Sequence, residues 1–203
     1  MRNDERLRTI YEVMAPYIVR NEHNWRDYLA FASQFHKHSF DNILLVYAQD
    51  EDVSILATRK QWAAIGRNLI PRAKGVAVCV YRNAKLTLDY LFDVSQTTGK
   101  EIHPTDWQLS DEMKEALTER LSYAHGFPKQ GFSQALYALA SESVADNYNH
   151  FLQELKQETK GHLFTEIPAG GFEAQYIQLL TDSISYFIGK KCHLPDEEIQ
   201  LSD

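Results

Sequence analysis

The chain has 203 residues, 44% hydrophobic and 24% charged, which places it among ordinary globular proteins with room for one substantial core or two small ones. No apolar run approaches the ~20 residues of a membrane-spanning helix, and the segment from Met1 to Arg8 lacks the apolar stretch of a secretory signal, so a cytoplasmic protein with no membrane partner is expected. Cys79 and Cys192 lie far apart and outside any Cys-x-x-Cys spacing, which indicates neither a zinc ribbon nor a disulfide framework.

The net charge of −7, taken alone, argues against a nucleic-acid partner, but its distribution argues differently. Lys and Arg number six against nine Asp and Glu over residues 1–53, eight against three over 54–104, and seven against sixteen over 105–203. The middle of the chain is basic and the C-terminal half acidic. Salt screens charge beyond about 10 Å, so segments of opposite sign address different partners. For the acidic half, solvated helices are the plainer reading.

In chain order, Asn3 can cap a first helix in which Leu7, Ile10, Tyr11, Met14 and Ile18 keep the helical period, with Pro16 expected to kink or end it. A second helix from about Asn24 sets Trp25, Leu29, Ala32 and Phe35 on one stripe. Ser39 then caps a short third helix that has Asp41 in its first turn and carries Ile43, Leu44, Leu45, Tyr47 and Ala48. The segment 53–57 is β-branched and apolar enough for a short strand. Thr58 and Gln61 have the spacing of a capping box and open a helix with Trp62 and Ile65 inward, ended by Gly66.

Residues 67–75 read as a basic loop around Pro71, and 76–81 with 86–94 read as paired strands. In the second of these, Leu86, Leu88, Tyr90, Phe92 and Val94 alternate with Thr87, Asp89, Leu91 and Asp93, the period of a half-buried antiparallel strand. Residues 95–109 are the expected boundary. Beyond it, Ser110 caps a helix to about His125, a longer helix carries Leu136, Val144, Tyr148, Phe151 and Leu155 until Gly161, and a last one carries Phe172, Tyr176, Leu179, Leu180, Ile184 and Phe187 until about Gly189. The expected fold is α+β, with N-terminal helices packed on a small, mainly antiparallel sheet over residues 1–104 and an all-helical region of no assigned role over 105–203. The polar ending from Leu194 to Asp203 fits a piece of a larger protein.

Catalytic patterns are lacking: there is no Gly-x-Ser-x-Gly, no phosphate-cradling GxxxxGK[ST] loop and no His-Glu-x-x-His. His36 and His38 form a His-x-His pair near Asp41, but residues two apart on a helix point to different faces and cannot chelate together. A metal-dependent hydrolase built on these three is therefore the lesser alternative, and a noncatalytic protein without metal or cofactor is expected. Binding is the stronger reading. Arg59, Lys60, Arg67, Arg72, Lys74, Arg82 and Lys85 lie close together in sequence, with Trp62 and Tyr81 interleaved and Tyr47 upstream. Cations track a phosphate backbone and aromatic rings stack on exposed bases, a combination suited to single strands. A protein-interaction module is the alternative.

The ordered blocks Ser39-Phe40-Asp41-Asn42-Ile43-Leu44-Leu45 through Tyr47-Ala48-Gln49, then Trp62, Gly66-Arg67, Lys74-Gly75-Val76 and Phe92-Asp93-Val94-Ser95-Gln96-Thr97 resemble the N-terminal domain of the ArdC antirestriction proteins. The likeness covers about residues 20–100 and is nearest to the version fronting large helicase- and methylase-type proteins of conjugative elements. It implies a small α+β domain that binds single-stranded DNA, with further domains of a larger polypeptide or other transfer proteins as partners. On that basis Arg59, Lys60, Arg67, Arg72, Lys74 and Arg82 are expected to hold phosphates, and Tyr47 and Tyr81 to stack bases. The sequence departs from the family at His38, where tyrosine is common, at the acidic turn Asp50-Glu51-Asp52, and at Ala73, where glycine is usual. The metalloprotease domain that follows in ArdC has no match in residues 105–203.

Overall fold

The computed structural model describes residues 3–35, 37–83, 85–102, 109–128, 131–160 and 171–199. The chain divides into two compact units, Met1–Asp106 and Trp107–Asp203. Its fold is α+β.

In the first unit, helices α1 (Asn3–Ile18), α2 (Glu22–Ala32) and α3 (Phe40–Gln49) precede β1 (Leu56–Thr58), α4 (Arg59–Ala64), β2 (Arg67–Leu69), β3 (Val76–Arg82), β4 (Lys85–Asp93) and β5 (Thr97–Gly99). Strand β4 is the centre of an antiparallel sheet ordered β1-β4-β3, while β2 and β5 form a separate antiparallel pair. The core joins Tyr28, Phe31 and Phe35 of the α2 region to Leu44 and Val46 of α3, Val76 and Val78 of β3, and Trp62 of α4. Buried rings need a partner for any polar atom. Accordingly, Trp62 Nε1 donates to the Phe92 carbonyl at 2.8 Å and Tyr28 Oη to that of Phe40 at 3.2 Å.

Several elements differ from the sequence-based expectation. Pro16 does not end α1, which runs on to Ile18; the proline falls in the last turn, where its missing N–H removes a single bond. Helix α2 starts at Glu22 because Asn21 is the cap, its side chain accepting the Asn24 N–H. The strand expected over 53–57 forms only at Leu56–Thr58, because the Ser54 and Ile55 amides are taken by the Asp93 carboxylate instead of a ladder. Residues 67–69, expected in a loop, are a strand paired with Thr97–Gly99, which lies inside the expected boundary. In β4 the buried residues are Leu91 and Asp93, whereas Leu86 and Tyr90 are 55% and 44% exposed. Both faces of that strand carry large apolar side chains, so alternation alone does not choose the inner one.

The edge of the sheet at β3 is covered by side chains of α3. Asn42 gives its Nδ2–H to the Cys79 carbonyl (2.7 Å) and accepts the Cys79 N–H on Oδ1 (2.8 Å). Gln49, two turns on, does the same at Ala77 (2.8 and 3.0 Å). Two amides thereby stand in for a further strand and satisfy backbone groups that an open edge would leave to pair with another chain.

Among its described residues the second unit is helical, with α5 (Asp111–His125), α6 (Phe132–Glu158) and α7 (Phe172–Lys191). Ser110 caps α5 as its position predicts. Helices α6 and α7 meet through rings, Phe151 on Tyr176 at 4.3 Å and Tyr148 on Tyr176 at 5.4 Å between centroids. Helix α7 passes through Gly189 and closes at His193, which takes a left-handed φ of 54°. There the Leu194 N–H reaches the Gly189 carbonyl and the His193 N–H that of Lys190, the bond pair of a Schellman end. The buried residues of α7 include Thr181, Asp182, Ser183 and Ser185, while Leu179 is 59% exposed, contrary to a simple apolar stripe. Ser183 returns its hydroxyl to the Leu179 carbonyl and Asp182 accepts from Gln178. The stop expected at Gly161 lies outside the described residues.

Candidate nucleic-acid interface

Three of the expected cationic residues converge. Arg59, Arg67 and Arg72 line one open cleft of about 400 Å³ with Ala63, Asn68, Leu69, Ile70 and Pro71. Arg59 is the first residue of α4, whose start is fixed by the capping box: Gln61 N–H reaches Thr58 Oγ1 and Gln61 Oε1 accepts the Thr58 N–H. The helix then turns through Gly66, at a φ of 81° that favours glycine, into β2.

Arg67 opens β2, and its guanidinium is committed to the fold. Nε donates to Thr97 Oγ1 (2.7 Å), Nη2 to the Thr97 carbonyl (3.1 Å) and Nη1 to the Lys100 carbonyl (2.5 Å). It ties β2 to β5 and contributes charge to the cleft without an open fork for a ligand. Arg72 stands differently. The Ala73 N–H bonds back to the Ile70 carbonyl (3.2 Å), and Arg72 holds a φ of 65°. Pro71 before a left-handed residue is the arrangement of a type II turn, whose third position normally holds glycine. Arginine there costs about 1 kcal/mol or more, and such strain concentrates at functional positions.

The other expected residues scatter. Lys60 and Lys74 are exposed but do not line the cleft. Arg82 is ion-paired to Asp89 at 2.6 Å beside the hairpin tip. Tyr81 is 78% exposed. Tyr47 is half-buried, its ring against Phe31 (5.0 Å) and Tyr28 (5.6 Å), and it lines a different groove with Met14, Tyr17, Gln49, Asp50, Glu51 and Asp52. Burial, then the charges of Glu51 and Asp27, push its hydroxyl pKa up. The structure thus sets this tyrosine among carboxylates, apart from the cations with which sequence proximity grouped it.

Asp93, Asn42 and Gln49, polar residues of the blocks named above, are engaged in holding the fold. Asp93 is 5% exposed, and its Oδ1 accepts the N–H groups of Ser54 (2.7 Å) and Ile55 (3.0 Å) while Oδ2 accepts that of Ser95 (2.8 Å). Burial pushes this carboxyl up, but the hydrogen bonds from Ser95, Ser54 and Ile55 outweigh it and hold the pKa below the usual carboxylate value. Asn42 and Gln49 cover the β3 edge as described. Tyr90, which is not among the expected site residues, is 44% exposed on β4. Its alternation with Leu91 was legible in the sequence, but the period alone does not say which of the two faces outward.

Among the described residues no group of three His, Cys, Asp or Glu side chains is placed to hold a metal. His36 lies outside the described residues, and Asp41 accepts from Tyr11 Oη at 3.0 Å. No described helix is long and apolar enough to cross a membrane. No protein-family model, no curated protein and no solved structure matches this chain.

Proposed function

We propose that the first unit is a noncatalytic single-stranded DNA-binding module, in line with what the resemblance to ArdC N-terminal domains implies. The observation that carries the reading is the convergence of Arg59, Arg67 and Arg72 on one open cleft, with Arg72 kept at a backbone angle unfavourable to it. In this reading Arg59 and Arg72 contact phosphates, Arg67 shapes the cleft and adds charge, and Lys60 and Lys74 add field around it. Arg82, already paired to Asp89, contributes less. Tyr81, exposed at the end of β3, serves as a stacking ring, and Tyr47 does not. The setting expected for such a module is the cytoplasm, within or beside a DNA-transfer machine.

A fluorescence-anisotropy titration tests this, using a labelled single-stranded oligonucleotide and its duplex at two salt concentrations. Tighter binding to the single strand is expected, with log affinity falling against log salt at a slope of about −0.7 per neutralised phosphate. No binding at low salt, or affinity indifferent to salt, would remove the reading. The protein-interaction alternative would then lead, drawing on the groove that sets Tyr17 and Tyr47 beside Asp50, Glu51 and Asp52.

A further inference from the structure

We infer that the outer face of the β3–β4 hairpin is a base-stacking platform, on which Tyr81 and Tyr90 take two bases of one single strand whose backbone continues to the arginine cleft; this inference rests on the nucleic-acid reading above. Strand register establishes the face. Tyr81 pairs with Leu86, Cys79 with Leu88 and Ala77 with Tyr90, and side chains at alternate positions share a face. Val76, Val78 and Leu91 occupy the other face and are buried. The outer row is therefore apolar and largely open: Tyr81, Leu86 and Tyr90 are all exposed. A contiguous exposed apolar row on a globular protein marks a contact surface.

Charge identifies the occupant. No carboxylate belongs to the outer face of either strand, since Asp89 and Asp93 both fall on the inner phase. Lys74 stands directly before Gly75 at one end of the row, and Lys85, on the inner phase opposite Arg82, closes the hairpin tip next in sequence to Leu86 at the other. Gly75 also joins row and cleft. A Cβ added there would lie 2.9 Å from Phe92 Cζ and 3.0 Å from Tyr90 Cβ, so the segment leaving Arg72 is packed against the platform's end. The acidic turn Asp50–Asp52 follows Gln49, whose amide caps the β3 edge at Ala77, and repels phosphates from that edge. The length of the hairpin remains as the path. Tyr81 and Tyr90 lie four strand positions apart along it, about 13 Å, so they engage separate bases. Stacking rings flanked by cations accept any base, which fits a single strand bound without sequence preference.

The test uses the full chain, a labelled oligo-dT and an abasic phosphodiester strand of equal length and charge. Wild-type protein should prefer oligo-dT by about tenfold or more. Tyr81→Ala and Tyr90→Ala should each weaken oligo-dT binding about fivefold or more and leave the abasic strand unaffected, whereas Tyr81→Phe and Tyr90→Phe should retain wild-type affinity. Equal affinity of wild type for the two strands, or alanine variants unchanged on oligo-dT, would overturn the platform while leaving the cleft reading in place. Failure of wild type to bind either strand would overturn both. Concentration-dependent self-association that the alanine variants abolish, with oligo-dT affinity unchanged, would reassign the face to a second copy of the chain.

Discussion

Among the described residues of the first unit, two grooves have similar volumes, about 400 and 430 Å³, and opposite character. One is lined by Arg59, Arg67 and Arg72, the other by Asp50, Glu51 and Asp52 beside Tyr17 and Tyr47. The difference has a structural origin. Asn42 and Gln49 pin α3 along the β3 edge, and the chain leaves that helix through the acidic turn, so Tyr47 remains with the acids. The basic cleft is built from the next segment, where the α4 cap, the β2–β5 pair and the 70–73 turn bring three arginines together. Cation density in the sequence translates into a site only where such short-range devices aim the side chains at one space.

The most damaging challenge to this contrast is charge reversal in the basic groove. Arg59→Glu combined with Arg72→Glu should weaken single-strand binding about 100-fold or more at low salt, roughly 2.7 kcal/mol, as measured by anisotropy. Retained affinity would show that the cleft is not the phosphate track.

Next in size is Asp93→Asn, which presents an amide donor where the carboxylate accepted N–H groups on both oxygens. A loss of about 2–3 kcal/mol in denaturant unfolding is expected. Because the folded pKa of Asp93 lies below its ordinary value, its contribution is present above the unfolded carboxylate pKa and disappears as pH falls through the folded one. Thermal melts of wild type should therefore lose stability below about pH 4, and the Asn variant should lose less over the same window.

Smaller effects separate the helix that holds the acidic groove from the groove itself. Asn42→Ala should cost about 1–2 kcal/mol, since it removes the two hydrogen bonds that the amide makes to the part-buried Cys79 backbone; Gln49→Ala, at a more exposed position, should cost under about 1 kcal/mol. Arg72→Gly relieves the left-handed strain against glycine's greater unfolded-state freedom. Its melting temperature should match or exceed wild type, within about 1 kcal/mol, while DNA affinity falls. The smallest effect is expected for Glu51→Gln with Asp52→Asn, which should alter single-strand affinity by less than about twofold at physiological salt. A large gain there would mean that the two grooves act on one ligand and that the contrast between them is functional repulsion.

Much of the fold was legible because its signals are local. Ser39, Thr58 with Gln61, and Ser110 cap helices as their spacing predicts, and the hairpin closes with Arg82 opposite Lys85 and Asn83 at the left-handed φ of 50° that asparagine tolerates. Of the candidate site, Arg59 was legible as a cation just after a helix cap and Arg72 as one in a basic loop around Pro71. Arg67 was legible only as a charge, since its three hydrogen bonds go to Thr97 and Lys100, far along the chain. Tyr47 was misleading for the same reason, being close to the cations in sequence but held by Phe31 and Tyr28.

By itself, then, the sequence determined the presence of the helices, the caps at Ser39, Thr58 and Ser110, the hairpin and the basic character of residues 54–104, because each depends on neighbours within a few positions. Only the tertiary structure decided which face of β4 turned inward, that three-residue β2 would find β5, that Asn42 and Gln49 would cover a strand edge, and which cations would share a cleft. These outcomes depend on pairing and packing between distant segments, which leave no period in the local sequence.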